Sequence, residues 1–119
     1  MLEYKAEINQ EISKIVGDFL NEELGKKAAS VIPLIQGNMI AVYATDCLTP
    51  AERNLLGNNE NFKLLQELKT KEFECVKPIL KDGLEKILDR RVNKINSTIG
   101  KDGIRFLHIT LCDDFINKK

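Results

Sequence analysis

Two pairs of apolar segments, each pair broken by a short turn, limit the fold of this chain more than any other feature. Residues 28–48 carry two β-type runs around a Gly-Asn pair at 37–38, which suits the primed turn of an antiparallel hairpin. Residues 92–113 carry two further runs around the sequence GKDG at 100–103. A lone hairpin is marginal in water. The sequence therefore predicts one mainly antiparallel sheet of four strands.

Two amphipathic stripes predict the helices that cover this sheet. Within residues 5–24, apolar residues recur every three or four positions, and Gly25 follows as a stop. A longer stripe runs through residues 60–91 and contains Pro78. Proline removes a backbone donor and clashes with the preceding turn, so a kink or a break is predicted near Cys75.

The order of these segments predicts an α+β fold made of a single domain over residues 1–119. An N-terminal helix is followed by a β-hairpin, a short helix, a long Pro-kinked helix and a second hairpin, with the helices on one face of the sheet. A chain of 119 residues has room for one hydrophobic core. Pro33 predicts that its strand lies at a sheet edge or carries a bulge, whereas the apolar run at 39–44 indicates burial on both faces or a central place in the sheet.

Charge and cysteine content narrow the class of protein. Lys plus Arg and Asp plus Glu number 18 each, so the basic surplus of a dedicated DNA-binding protein is missing. No apolar run reaches the roughly 20 residues needed to span a bilayer. The N-terminus is too polar for a signal peptide. Three widely spaced cysteines suit free thiols in a reducing compartment, so we expect a cytoplasmic location.

The stretch CLTPAERNLL at 47–56 contains a complete helix start. Thr49 and Glu52 have the spacing of a capping box, in which each side chain bonds the backbone amide of the other residue. Pro50 falls at the first helical position, where its missing N–H costs nothing. The pattern predicts a structural corner between the first hairpin and the helices that follow.

Several segments of the chain, including this corner, resemble a known bacterial family. The matching pieces are Gly25-Lys26, MIAVYATDCL at 39–48, LTPAERNLL at 48–56, FECVKPILKDGLEKIL at 73–88 and IRFLHITL at 104–111. Together they resemble the MpsC-like family, and the likeness extends over about residues 5–112. The resemblance implies an accessory component of a sodium-linked membrane-potential-generating or inorganic-carbon system. It also implies membrane transport subunits as partners, and a position at the inner face of the membrane.

The chain departs from the family pattern in its loops. Family members often have a GKGP turn before the first strand, where this chain has GKKAAS at 25–30. They often have a glycine before the third strand and a longer, acidic last loop, where this chain has Arg90-Arg91 and the short KDG at 101–103. The family offers no established catalytic residues, so the resemblance predicts no catalytic site.

The residues that could act in catalysis, chiefly cysteine and histidine, give only weak evidence for an active site. Cys47 precedes the helix cap by two residues, and a thiol near a helix N-terminus can have a lowered pKa, so a reactive Cys47 is one alternative. His108 and Cys112 would share a strand face at a separation of about 13 Å, too far for a hydrogen bond. No metal-ligand spacing and no phosphate-binding loop is present. We therefore predict no metal and no cofactor.

One compact basic cluster lies at 90–94. Arg90, Arg91 and Lys94 fall near a predicted helix end, where cations complement the negative end of the helix dipole. Anion or RNA binding is the other interpretation, and it is disfavoured because the aromatic residues are not interleaved with a basic strand.

The leading hypothesis is a non-enzymatic interaction module that forms a homodimer. The apolar runs at 39–44 and 104–111 exceed what helices on one face of a sheet can bury, which predicts that a second copy or another protein covers the opposite face. Two alternatives stay open: a small enzyme or ligand-binding domain that uses Cys47, and an RNA-binding module that uses the basic cluster.

Overall fold

The structure is a computed structural model that describes the backbone of residues 2–113 and the side chains of residues 7–113. Its elements confirm the predicted α+β order. They are α1 (Leu2–Leu24), β1 (Ser30–Gln36), β2 (Met39–Thr45), α2 (Pro50–Arg53), α3 (Asn59–Leu88), β3 (Val92–Ile99) and β4 (Arg105–Leu111).

The four strands form one antiparallel sheet in the order β1-β2-β4-β3. The two hairpins therefore meet through their second strands, and β2 and β4 are central. Ala41 of β2 lies opposite His108, and His108 lies opposite Asn96 of β3. Of the alternatives predicted for the run at 39–44, the central place is the one observed, since Met39 and Tyr43 leave β2 exposed on one face. Of those predicted for the strand that contains Pro33, the edge position is observed.

Positive backbone angles occur where the sequence predicts the chain to turn. Gly25 ends α1 with a φ of 80°, and the amide of Lys26 donates to the carbonyl of Leu20. Gly37 has a φ of 60° at the first central position of the β1–β2 turn, which is the glycine position of a type II′ hairpin. A glycine takes these angles without the steric cost that a Cβ atom would add.

The helix α3 runs through Pro78 as a single element. The sequence predicted a kink or a break near Cys75, and the structure shows no break there. The Asn58 side chain caps the helix by accepting from the Asn61 amide, and Asp89 ends it in the left-handed conformation. Between these ends, buried residues follow one another on one side of the helix from Leu65 to Leu88. This burial outweighs the local cost of the proline.

The core lies between the inner face of the sheet and the pair α1 and α3. It includes Ile12 and Val16 from α1, Phe73 and Leu84 from α3, and alternate residues of β2 and β4. A second, smaller cluster lies at the corner after β2 and contains Leu48, Leu55, Leu56, Leu65 and Ile99. The helices cover only one side of the sheet, and its opposite side carries exposed strand residues.

Candidate functional site

The uncovered side of the sheet is the first candidate site, and we call it the open face. Its apolar half lies on the first hairpin, where Ile32 is 50%, Leu34 56%, Met39 38% and Tyr43 41% exposed. The other outward-facing positions are Ser30, Gln36, Ala41, Thr45, Lys94, Asn96, Thr98, Phe106, His108 and Thr110. Contiguous exposed apolar surface of this kind marks interaction sites in folded proteins.

The open face is nearly free of charge, in contrast to the rest of the chain. Charged residues make up 30% of the sequence. Among the strand residues that point to the open face, Lys94 is the one with a formal charge, and it lies on the outermost strand β3. Depletion of charge at the centre of a patch distinguishes an interface core from ordinary protein surface.

Both edges of the sheet are poorly suited to the addition of another strand. Pro33 lies in the edge strand β1 and has no N–H to donate. The opposite edge, β3, has a register shift between Val92 and Lys94, which leaves Asn93 as an extra residue. A bulge of this kind twists an edge away from regular pairing. The geometry favours contact through the face of the sheet over contact through its edges.

The middle of the open face holds a group of aromatic and sulfur-containing side chains. The Tyr43 and Phe106 rings lie 5.1 Å apart between centroids, and the Phe106 and His108 rings are stacked at 6.2 Å. The Nε2 atom of His108 lies 2.6 Å from the Met39 sulfur. Ala41, directly opposite His108, has a smaller side chain than the members of this group.

The corner after β2 is the second candidate site, and its capping box forms as predicted. The Thr49 hydroxyl accepts from the Glu52 amide at 3.2 Å, and the Glu52 carboxylate accepts from the Thr49 amide at 2.9 Å. Pro50 is the first residue of α2. Thr49, Pro50 and Glu52 therefore share a local structural role at the start of this helix.

Glu52 also connects the corner to α3. Its second carboxylate oxygen lies 2.5 Å from the Lys69 ammonium group, whose side chain is 9% exposed. Glu72 lies 3.5 Å from the same ammonium group. Partial burial alone would raise the pKa of Glu52, but the hydrogen bonds from Lys69 and Thr49 outweigh it and hold the pKa below its usual value.

A buried arginine lies close to this corner. Arg105 begins β4, points into the core and is 2% exposed. Its guanidinium group bonds the Ser97 hydroxyl and lies 5.8 Å from the Phe73 ring centroid, while Nε is buried without a hydrogen-bond partner among the described residues. Burial lowers the pKa of Arg105 from its usual high value, and Cys47 and Glu72 oppose that shift.

Cys47 lies at this corner as predicted, but its surroundings do not activate the thiol. It is 6% exposed, and its Sγ donates to the Ala44 carbonyl at 3.2 Å. Burial raises the pKa of Cys47, and the nearby Arg105 cation only partly offsets this. A raised pKa reduces the thiolate fraction, which is the nucleophilic form. The reactive-thiol alternative stays a prediction that this geometry does not favour.

The basic cluster at 90–94 is divided between two places. Arg90 donates to the carbonyls of Leu88 and Asp89 at the end of α3, the capping role described for cations at helix ends. Lys94 projects from the open face, away from that helix end. The hollow beside the arginines is also lined by Glu85, Asp89 and Asp113. The structure therefore does not bring Arg90, Arg91 and Lys94 together into one basic surface.

The described part of the chain has neither a metal-binding cluster nor a helix that could span a membrane. Residues 7–113 contain no group of three or more His, Cys, Asp or Glu side chains placed to hold a metal ion. Within residues 2–113, no helix combines the length and the apolar character that crossing a bilayer requires. Cys112 directly follows β4 and is exposed. Its amide donates to the carbonyl of Arg91.

Sequence reasoning missed Lys69 and Arg105, the two charged residues that are buried within residues 7–113. Lys69 falls on the apolar stripe of α3, four residues after Leu65 and four before Phe73, and this spacing is a signal for burial. Arg105 alternates with Leu107 and Ile109 on the inward side of β4, which is a comparable signal.

Comparisons with known proteins confirm the predicted resemblance. Residues 4–113 match the family described as the Na+-translocating membrane potential-generating system (MpsC). The uncharacterized protein YbcI of Bacillus subtilis (strain 168) is 30% identical over 115 residues, which cover 96% of this chain and 93% of that protein. No solved structure matches the chain at a significant level. The family match covers the helices, both hairpins and the capped corner, and the chain belongs to the MpsC family.

Proposed function

We propose that this chain is a non-enzymatic interaction module that forms a homodimer through its open face. In this role it serves as an accessory component of a sodium-linked membrane-potential-generating system, at the cytoplasmic side of the membrane. The observation that carries the proposal is the open face itself, which is apolar and nearly uncharged on a chain that is 30% charged. Membership of the MpsC family relates the domain to the membrane-potential system.

Charge supports a second copy as the occupant of the open face. A partner with charged groups at the contact would lose their hydration without gaining opposite charges in return, because Lys94 is the one charged side chain that the described strands point to this face. A second copy brings an equally uncharged surface. The same patch on both molecules is also what a two-fold symmetric contact requires.

The face is large enough to contribute to an interface. Four strands of seven or eight residues give a flat footprint of roughly 24 by 19 Å, or about 450 Å². Stable interfaces remove about 800 Å² of accessible surface from each partner. Exposed side chains such as Leu34 and Tyr43 add accessible surface to the flat footprint.

A pair of substitutions tests the dimer. Leu34→Asp puts a charge on the open face, and Leu64→Asp puts the same charge on α3, where Leu64 is 63% exposed. Both side chains are exposed, so neither change disturbs the core. We expect sedimentation at tens of micromolar to give a dimer for the wild type and for Leu64→Asp, and a monomer for Leu34→Asp. A monomeric wild type of 13.5 kDa would overturn the proposal.

The same variants test the role in the membrane-potential system. Cells that carry Leu34→Asp in place of the wild-type chain should lose sodium-dependent membrane potential, measured with a voltage-sensitive dye in sodium and in potassium medium. Cells that carry Leu64→Asp should keep it. If the potential were equal in all strains and in a strain without the chain, the proposed link to this system would be wrong.

A further inference from the structure

The open face has one histidine, and it lies at the centre. His108 is the middle residue of β4 and pairs with Ala41 on β2 and with Asn96 on β3. Since β2 and β4 are the two central strands, the row through Ala41 and His108 crosses the middle of the sheet. A symmetric dimer formed over the whole face has its two-fold axis near this row. The two copies of His108 would then be buried close together.

Among the described residues, the surroundings of His108 include no carboxylate to balance a positive charge. From β2, Met39 contacts its ring nitrogen, and from β4 itself Phe106 stacks on its ring. The titratable or charged side chains that share the open face with His108 are Tyr43 and Lys94, among the described residues. Neither is a carboxylate, and no helix within residues 2–113 packs on this side of the sheet.

We infer that protonation of His108 weakens the self-association of the chain, so that the dimer is favoured at neutral and alkaline pH and lost in acid. This inference rests on the proposed dimer. Histidine is the side chain that ordinarily changes charge between about pH 5 and 8. In the monomer, the imidazole of His108 is partly exposed to water. In the dimer, it would be buried without a counter-charge and beside a second imidazolium.

The sign of the effect follows from proton linkage. The dimer binds fewer protons than two monomers, because it disfavours the charged form of both histidines. A fall in pH therefore shifts the equilibrium toward monomers. With two histidines per dimer, the dissociation constant rises by up to about a hundredfold per pH unit once the imidazoles titrate.

The test measures the dissociation constant of the full chain by sedimentation at about pH 8 and about pH 5.5, two values that bracket most of the histidine range. The wild type should bind at least about tenfold more weakly at the lower pH. His108→Gln has a neutral side chain that does not titrate, and it should bind equally at both values. Circular dichroism at both values monitors folding of each protein.

The possible outcomes distinguish this inference from the proposed dimer on which it rests. A wild-type dimer of equal strength at both pH values overturns the inference and leaves the dimer standing. Equal pH sensitivity in wild type and His108→Gln also overturns it, because another group would then be responsible. A wild type that is monomeric even at the higher pH overturns both.

Discussion

Glu52 makes two separate contacts at the corner after β2. One carboxylate oxygen accepts from the Thr49 amide, and the other lies against the Lys69 ammonium group of α3. The residue thus couples a helix start to a distant helix. Its half of the capping box was readable from the sequence, because capping depends on neighbours three positions apart. Its bond to Lys69 was not, because that contact exists only once α3 has packed against the corner.

The first prediction concerns the cap at Thr49. Thr49→Ala removes the hydroxyl that accepts from the Glu52 amide, and we expect it to lower the free energy of unfolding by about 1 kcal/mol. Urea unfolding measures the change. Thr70→Ala serves as the control, since Thr70 is an exposed residue inside α3 where alanine is a good helix former. A loss of the same size in both variants would show that the cap contributes nothing specific.

The second prediction concerns the charge of Glu52. Glu52→Gln leaves the Lys69 ammonium group with Glu72 as its remaining carboxylate partner, and we expect a loss of about 1–3 kcal/mol at neutral pH. Glu74→Gln is the matched control, since its pair with Lys77 is more exposed than the pair of Glu52 with Lys69. That control should change stability by less than about 0.5 kcal/mol.

The same variant predicts a pH dependence with a definite sign. The folded protein lowers the pKa of Glu52, so the stabilisation by its carboxylate is present above the unfolded value of about 4.3 and is lost as pH falls through the folded value. The difference in stability between wild type and Glu52→Gln should therefore shrink in acid. A difference that stays constant from neutral pH into strong acid would contradict the assigned pairing.

At the scale of whole elements, local sequence patterns predicted which helices and strands form better than they predicted whether a helix is continuous. Gly25 and the Gly37-Asn38 turn ended their elements where expected, because those positions need backbone angles that glycine takes easily. Pro78 shows the limit of local reasoning. The sequence indicated a kink or a break, yet α3 continues past it, since Leu80, Leu84 and Leu88 hold the following turns against the core.

The third prediction concerns the contact between α1 and α3 at Gly83. A Cβ atom at this position would lie 2.6 Å from Cδ1 of Ile15, so the glycine allows the two helices to approach. Gly83→Ala should gain helix stability of up to about 1 kcal/mol, but the clash with Ile15 should offset it. In the Ile15→Val background, which lacks that atom, the gain should appear.

Urea unfolding of wild type, both single variants and the double variant measures this coupling directly. The control is internal to the cycle, because Ile15→Val alone reports the cost of the lost methyl group. If Gly83→Ala changed the free energy of unfolding equally in both backgrounds, the contact between position 83 and Ile15 would not limit stability.

At the scale of the whole molecule, the sequence predicted two hairpins but not the order in which they join. Pairing of β2 with β4 puts both apolar central strands in the middle and leaves Pro33 at one edge. The excess of apolar positions at 39–44 and 104–111 did indicate an uncovered face. The alternation of Arg105 with Leu107 and Ile109 is a signal for its burial, but its contacts could not be predicted, because Phe73 and Ser97 lie on other elements.

The central claim is that the open face becomes buried when two chains associate, and one measurement tests it most directly. The chain contains no tryptophan, so a single Tyr43→Trp substitution reports on the open face alone. Leu64→Trp is its matched control on the exposed side of α3. We predict that the emission of Tyr43→Trp moves to shorter wavelength as concentration rises from submicromolar to tens of micromolar, while that of Leu64→Trp stays constant. Emission from Tyr43→Trp that remains typical of water at every concentration would contradict the account.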